Sequence, residues 1–311
     1  MVDEKDFQIL SHLARDPFVS NERLGRDLGL SGHSVKRRIE NLVKEGVLPS
    51  TWLLPIPQVF QRHSRIFVYK DVARPEEAIQ GALETDPVVW AGVDLDRSFH
   101  VHAYAGSPDA AAPEGLVKLL GEPAFAVSPP FSHATPTEAT LSPLDLRVLL
   151  GLIRQPRASL QELATFTGLS PKTVRRHRDA MFANGLFLLF PVIHVAQSRG
   201  LVLYNAYVHG PKIPSNAQGI LSVLPRCRLV TTRTNPPGVW LICWAESMAE
   251  VSEVEGRLRS VPGVERAGIV MRLRVDFAVD RVEGWIRDDL AKWGKARGTK
   301  GRFGDLSPQV S

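Results

Sequence analysis

Residues 6–48 of this 311-residue chain align without a gap on residues 145–187, at a constant offset of 139. Asp6, Leu10, Leu13, Arg15, Pro17, Ser20, Leu24, Gly29, Leu30, Ser31, Val35, Arg37 and Gly46 recur as Asp145, Leu149, Leu152, Arg154, Pro156, Ser159, Leu163, Gly168, Leu169, Ser170, Val174, Arg176 and Gly185. Solenoid repeats run to roughly 20–50 residues, so a period this long marks a duplicated domain. One structural unit must therefore be built twice.

The repeated block has the pattern of a helix-turn-helix. In the first copy Phe7, Ile9, Leu10 and Leu13 recur at helical spacing, opened by Asp3 and closed before Pro17. Ser20 caps a short helix carrying Leu24 and Leu28, which Gly29 ends. A third helix is expected from about Ser31 to Glu45, with Val35, Ile39 and Leu42 on its core face. Its outer face then carries His33, Ser34, Lys36, Arg37, Asn41 and Lys44. In the second copy Leu146, Leu149, Leu150 and Ile153 mark the first helix, Ser159 to Thr167 the second, and Ser170 to Asn184 the third. The outer face of that third helix offers Lys172, Thr173, Arg175, Arg176 and His177. A helix fits the DNA major groove, where its first turns reach base edges while Lys and Arg contact phosphates. Val47 to Pro57 and Leu186 to His194 read as the hairpin wings that complete the two units, and neither is basic.

Composition narrows the partners. The formal charge of +5 favours an anionic one only weakly, but its distribution is uneven. Lys292, Lys295, Arg297, Lys300 and Arg302 form a basic tail without an acid, readable as a solvated segment or as extra non-specific affinity. Two cysteines exclude a disulfide scaffold and fit a reducing cytoplasm; Cys227 and Cys243, on two strands joined through Pro236-Pro237, can come near one another but are expected as reduced, partly buried thiols. The charged start Asp3-Glu4-Lys5-Asp6 predicts no signal peptide. No run reaches the roughly 18 apolar residues of a membrane helix. A cytoplasmic protein with no membrane partner is expected.

The intervening stretches alternate as strand, helix, strand, strand, helix, strand. In the first these are Arg65 to Val72, Pro75 to Glu84, Val88 to Asp94, Ser98 to Ala105, Pro113 to Leu120 and Glu122 to Val127. In the second they are Leu201 to His209, Ser215 to Leu224, Arg228 to Thr234, Val239 to Ala245, Met248 to Ser260 and Val264 to Phe277. Each βαββαβ order predicts a ferredoxin-like unit with helices on one face of an antiparallel sheet. The fold class expected is α+β, a winged helix-turn-helix plus ferredoxin-like domain, the pair duplicated within one chain. The expected divisions are 1–57, 64–131, 142–194, 200–278 and a C-terminal helix and tail over 279–311.

Strand alternation exposes the other sheet faces. Phe99, Val101 and Ala103 share one face, leaving His100, His102 and Tyr104 on the other. The equivalent strand of the second unit carries Trp240, Ile242 and Trp244 at the corresponding positions. A surface this aromatic is not left wet, so the two sheets are expected to pack face to face, Trp240 and Trp244 against His100, His102 and Tyr104. A small-molecule site at that interface is a compatible reading. A metal site on His100 and His102 lacks acidic or cysteine ligands to complete it.

A winged helix-turn-helix followed by βαββαβ resembles the Lrp/AsnC (feast-or-famine) transcriptional regulators. The resemblance rests on Asp6 through Leu13, Ser20 through Ser31 and Val35 through Gly46, and in the second copy on Asp145 through Leu152, Leu169-Ser170-Pro171 and Thr173 through Arg176. It implies reader domains that bind operator DNA and sheet domains that assemble and bind small effectors. Members with an amino-acid site usually carry Gly-x-Tyr/His-Asp between the second and third strands. Here those regions read Ala91-Gly92-Val93-Asp94-Leu95-Asp96 and Thr232-Arg233-Thr234-Asn235-Pro236-Pro237-Gly238, so no amino-acid effector is assigned. Where such regulators pair readers from two chains, this chain could pair its own, as an intrachain pseudo-dimer able to assemble further into a homo-oligomer.

Sirohaem decarboxylases share that architecture, some as fusions of two units, and use His and Arg at the sheet interface to hold tetrapyrrole carboxylates. Arg233 precedes Trp240 as in their Arg-x-His-x-x-Asn-x-Trp pattern, but Asn235 stands in the His place and Gly238 in the Asn place. No phosphate loop, nucleophile elbow or carboxylate pair appears elsewhere, so no enzyme activity and no cofactor or metal is expected. The expected function is transcriptional regulation. Lys36, Arg37, Lys172, Arg175 and Arg176 are expected on DNA, His33, Ser34 and Thr173 at base edges. His100, His102, Tyr104, Arg233, Trp240 and Trp244 are expected at the sheet interface.

Overall fold

The computed structural model describes residues 2–16, 18–48, 50–127, 140–192, 194, 197, 199–224, 226–234 and 237–296. The first reader comprises α1 (Glu4–Arg15), α2 (Asn21–Leu28) and α3 (Gly32–Lys44). The second comprises α6 (Pro143–Arg154), α7 (Leu160–Thr167) and α8 (Pro171–Ala183). Their ends are set by chemistry that repeats with the sequence. Asp3 with Asp6 and Ser142 with Asp145 form reciprocal capping boxes on α1 and α6. Ser20, Ser31, Ser159 and Ser170 each accept the N–H three residues on. Gly29 and Gly168 close α2 and α7 in the left-handed region, with φ of 67° and 64°, where a side chain would be strained.

The first sheet unit holds β2 (His63–Tyr69), α4 (Pro75–Glu84), β3 (Val88–Asp94), β4 (Phe99–Ala105), α5 (Glu114–Leu120) and β5 (Phe125–Val127). The second holds β7 (Val202–His209), α9 (Ala217–Val223), β8 (Cys227–Thr234), β9 (Pro237–Ala245), α10 (Met248–Arg259) and β10 (Arg266–Val270). Strand order is β5-β2-β4-β3 in one and β10-β7-β9-β8 in the other, antiparallel throughout, so the ferredoxin-like topology is present twice. Phe99, Val101 and Ala103 face the helices and pack with Ile79, Ala82 and Leu116. Val239, Leu241 and Cys243 do the same in the second unit, beside Ile220, Val251 and Leu258.

Four expectations need correction. The stretch from Val264 to Phe277 is not one strand. It breaks at buried Met271, and β11 (Arg272–Phe277) crosses to pair with β3 at the edge of the first sheet. Arg272 Nε lies 2.7 Å from Asp94 Oδ1, and the Phe277 ring stacks on Trp52 at 4.6 Å, contacts only the first half can offer. Nor do two hairpin wings form among the described residues. Each reader supplies a single strand, β1 (Ser50–Pro55) and β6 (Phe187–Val192), and these pair antiparallel with each other. A lone strand leaves its backbone groups unpaired, and the other copy is where partners exist.

The two sheets do not pack face to face. The side of the first sheet bearing His102 and Tyr104 is covered by α11 (Val279–Ala296), whose Val282, Ile286 and Leu290 are buried at helical spacing. Trp285 stacks on Tyr104 at 5.9 Å and meets Phe60 at 5.3 Å. The same core takes in Leu146, Leu149 and Ile153 of α6, so α11 lies between the first sheet and the second reader. On the second sheet, Leu203, Ile242 and Trp244 pack on the first reader instead, with Phe7 6.1 Å from Trp244. The aromatic faces are covered, as their apolarity requires, but by a helix and a reader.

The cysteines are the fourth correction. The β8–β9 register places Cys227 directly opposite Cys243, and the pair forms a disulfide rather than two thiols. The last turn of α11, from Lys295 on, and the remaining basic residues Arg297, Lys300 and Arg302 lie outside the described side chains.

Ile286 is fully buried where α11 joins the second reader to the first sheet. Ile286→Ala should cost about 2–5 kcal/mol in urea unfolding. Hydrogen exchange should rise together in α6 and β4; loosening confined to α11 would show that the helix is not the tie between them.

Candidate nucleic-acid interface

The third helix of each reader is anchored by one apolar stripe. Val35 and Leu42 of α3, and Val174 and Met181 of α8, are buried against their own three-helix cores. The opposite stripe is open. His33, Lys36 and Arg37 are exposed on α3, as are Lys172, Arg175 and Arg176 on α8. Lys36 is weakly engaged, 3.8 Å from Glu40 on an exposed i,i+4 pair. Ser34 and Thr173 sit half-buried at the first turns, their N–H groups capped by Ser31 and Ser170. The Thr173 hydroxyl is also 2.9 Å from Ser170 Oγ, which engages one of its hydrogen-bonding positions and leaves the others for a further partner.

The two helices are fastened to their readers by different chemistry at aligned positions. In the first copy Arg38 Nη1 donates to Asp3 and to Asp6, at 2.9 and 2.8 Å. Burial pushes the Asp6 carboxyl above its ordinary range, although Arg38 and the Asp3 N–H pull it down. In the second copy the Arg38 position is His177, whose Nδ1 is 2.6 Å from Asp145 Oδ1. Its Nε2 lies 3.2 Å from Arg176 Nη2, an arrangement in which the imidazole donates to Asp145 and accepts from the arginine. Burial raises the Asp145 carboxyl, but hydrogen bonds from Ser142 and His177 outweigh it and leave the group below the usual range.

The readers touch one another. Phe18, in the turn after α1, meets Phe182 of α8 at 5.6 Å and Phe187 of β6 at 6.1 Å. The Arg178 guanidinium lies over the same Phe18 ring at 4.5 Å. With β1 paired to β6, the two exposed basic helices are carried on one connected frame.

The residues expected at a sheet interface are divided by the structure. His102 and Tyr104 come together with Trp90 and Trp285, while Trp240 stacks on Tyr207 and Trp244 faces the first reader. The Arg233 side chain lies outside those described. His102 Nε2 is 2.5 Å from Ser64 Oγ, and the Tyr104 hydroxyl donates to the Pro55 carbonyl. His100 points to the strand end instead, with Nε2 3.0 Å from Asp94, which also holds Arg272. Burial lowers the Arg272 pKa. Sequence reading missed Arg272 and Trp285. The helical spacing around Val282 held a signal for Trp285, whereas none pointed Arg272 at Asp94. Among the described residues no cluster of three His, Cys, Asp or Glu could hold a metal, and no helix is long and apolar enough to cross a membrane.

Comparison with known proteins bears on the readers. Residues 2–48 and 141–186 both match the winged helix-turn-helix DNA-binding family. The two readers are winged helix-turn-helix domains. No curated protein matches the chain by sequence. Among solved structures, the sirohaem decarboxylase NirDL is 14% identical with a TM-score of 0.42, covering 94% of this chain and 100% of its own. An AsnC family transcriptional regulator from Agrobacterium tumefaciens is 19% identical with a TM-score of 0.29, over 41% of this chain and 88% of its own. The transcriptional regulator NMB0573 from Neisseria meningitidis, in complex with L-Met, is 17% identical with a TM-score of 0.29, over 43% and 94%. Likeness at this level transfers no activity. The winged helix-turn-helix domains here differ from the expected form in sharing one two-stranded wing, β1 with β6.

Burial lowers the His102 pKa to about 3, against about 6.5 for an unfolded histidine. Its contribution is therefore intact above pH ~6.5 and is lost as pH falls toward 3, because the unfolded chain takes up a proton that the fold refuses. Urea midpoints measured from pH 7 to pH 4 should fall, and His102→Asn should flatten that fall. An equal slope in the variant would assign the acid sensitivity to other groups.

Proposed function

We propose that this chain is a cytoplasmic transcriptional regulator that binds double-stranded DNA through two unlike readers joined as an intrachain pseudo-dimer. The observation that carries this reading is the pair of exposed basic helices, α3 and α8, on winged helix-turn-helix domains tied together by β1–β6 pairing. In this reading Lys36, Arg37, Lys172, Arg175 and Arg176 take phosphates, and His33, Ser34 and Thr173 reach base edges. The operator is two half-sites about one helical turn, or a multiple of it, apart. Because the two helices present different side chains, the half-sites need not match. The sheet units serve assembly and small-molecule sensing, and no catalytic step or cofactor is invoked.

In the alternative reading, a tetrapyrrole enzyme of the same architecture, His100 and His102 would stand in for the His missing from the Arg233 to Trp240 stretch, His102 from the sheet face it shares with Tyr104. That face lies under α11, with Trp285 on Tyr104, which supports the regulator reading over the enzyme.

Selection of genomic fragments on the purified protein, sequenced and rechecked at two salt concentrations, should return a motif of two unequal half-sites. No enrichment by folded protein would count against the regulator, and a sirohaem absorption band after incubation would favour the enzyme. Replacing Arg37 and Arg176 together by alanine should weaken binding to all sequences and lower the salt slope by about one per lost phosphate contact. An unchanged slope would remove both residues from the interface.

A further inference from the structure

The duplication supplies an internal control for every position of the readers, and one flank departs from it. On α1, residues 6, 7, 9, 10, 11 and 13 are all buried, leaving Lys5, Gln8 and His12 along a half-open stripe. That stripe, the end of α2 and the start of β8 enclose a cleft of about 360 Å³ between the first reader and the second sheet. Lys5 and Arg228 bring cations to it from opposite walls, and Asp27 is the acid among its described lining residues. Lys5 Nζ donates to the Leu28 carbonyl at 2.8 Å, which uses one of its three N–H groups and holds the ammonium at the cleft. Arg228 Nη1 donates to the Cys227 carbonyl at 2.8 Å, on a strand cross-linked at that residue to Cys243.

The second copy closes the same place. Leu144, Leu150, Gly151 and Phe166 occupy the positions of Lys5, Ser11, His12 and Asp27. A Cβ at Gly151 would stand 3.0 Å from the Phe166 ring and 3.1 Å from Leu163, so the ring fills what would be the cleft. Arg147 donates to the Thr167 carbonyl, as Lys5 does to Leu28 in the first copy. The second copy thus fills this flank with Leu150, the Phe166 ring and one cation, Arg147, already bound to the Thr167 carbonyl. The first copy instead keeps a polar, open space with a cation on each wall.

We infer that the cleft between α1, α2 and β8 is a binding site for a small oxyanion, a carboxylate- or phosphate-bearing metabolite. Its charge bridges Lys5 on the reader to Arg228 on the sheet, and His12, Gln8 and Asp27 contact its neutral polar groups. A ligand so placed fastens the first reader to the second sheet, and the second reader has no counterpart. The site stands independently of DNA binding.

The test titrates the full chain, without DNA, with sodium succinate and separately with inorganic phosphate, against sodium chloride of equal ionic strength. Calorimetry and His12 imidazole proton shifts are the readouts. Saturable one-to-one binding of either anion is expected, succinate identifying a carboxylate site and phosphate a phosphate site. Arg228→Gln should weaken it about tenfold by removing one of the two cations. His12→Gly with Asp27→Phe, which writes the second copy's pair into the first, should abolish binding with the thermal melt retained, and serves if Arg228→Gln does not fold. Absence of saturation by both anions, or undiminished binding in the folded variants, would overturn the site.

Discussion

The molecule is organised around the pairing of β1 with β6. Six residues from each copy meet antiparallel, from Ser50 opposite Val192 to Pro55 opposite Phe187. Neither strand has another strand beside it among the described residues, so each copy satisfies its backbone only by finding the other. The chain between these strands and the sheets is short, and the pairing therefore fixes where both readers and both sheets begin. Phe18 against Phe182 and Phe187 adds an apolar contact to the same junction.

Beyond this junction the two halves are not symmetric, and the cause is covalent. After β5 the chain goes on to build the second reader, whereas after β10 it crosses over. It returns to the first sheet, as β11 beside β3 and as α11 over Tyr104. The crossing is held at both ends by charge in partly dry surroundings. Arg272 meets Asp94 at 2.7 Å, and Arg281 donates to the Val88 and Glu84 carbonyls. Arg154 of α6 takes the Glu283 carboxylate on α11 at 2.8 Å, an ion pair whose acid is nine-tenths buried. Such a pair contributes little net stability, yet it penalises any other seating of the helix strongly. The second reader thus rests on a helix, and the first directly on a sheet.

That difference reaches the recognition helices. Arg38 ties α3 to two carboxylates with a charge it cannot lose, while His177 ties α8 to Asp145 through an imidazole that also contacts Arg176. Two readers copied from one ancestor block have come to present unlike surfaces on unlike supports.

Elements with a local cause were legible in the amino-acid sequence alone. Asp3, Ser20, Ser31 and their counterparts 139 residues on mark helix starts because their oxygens satisfy orphan N–H groups. Alternation along Phe99 to Tyr104 separated the core face of β4 from its outer face because successive side chains point oppositely. The exposed cations of α3 and α8 were legible for the same reason, by elimination of the buried stripe. Partnership, in contrast, was settled only in three dimensions. A strand pattern states that a ladder is needed but not which chain segment completes it, so the shared wing and the crossing at Met271 were invisible, and the nearness of Cys227 to Cys243 was legible without their bond. The apolarity of Tyr104 and Trp244 required a cover, and hydrophobic burial has no direction that could distinguish a second sheet from α11 or a reader.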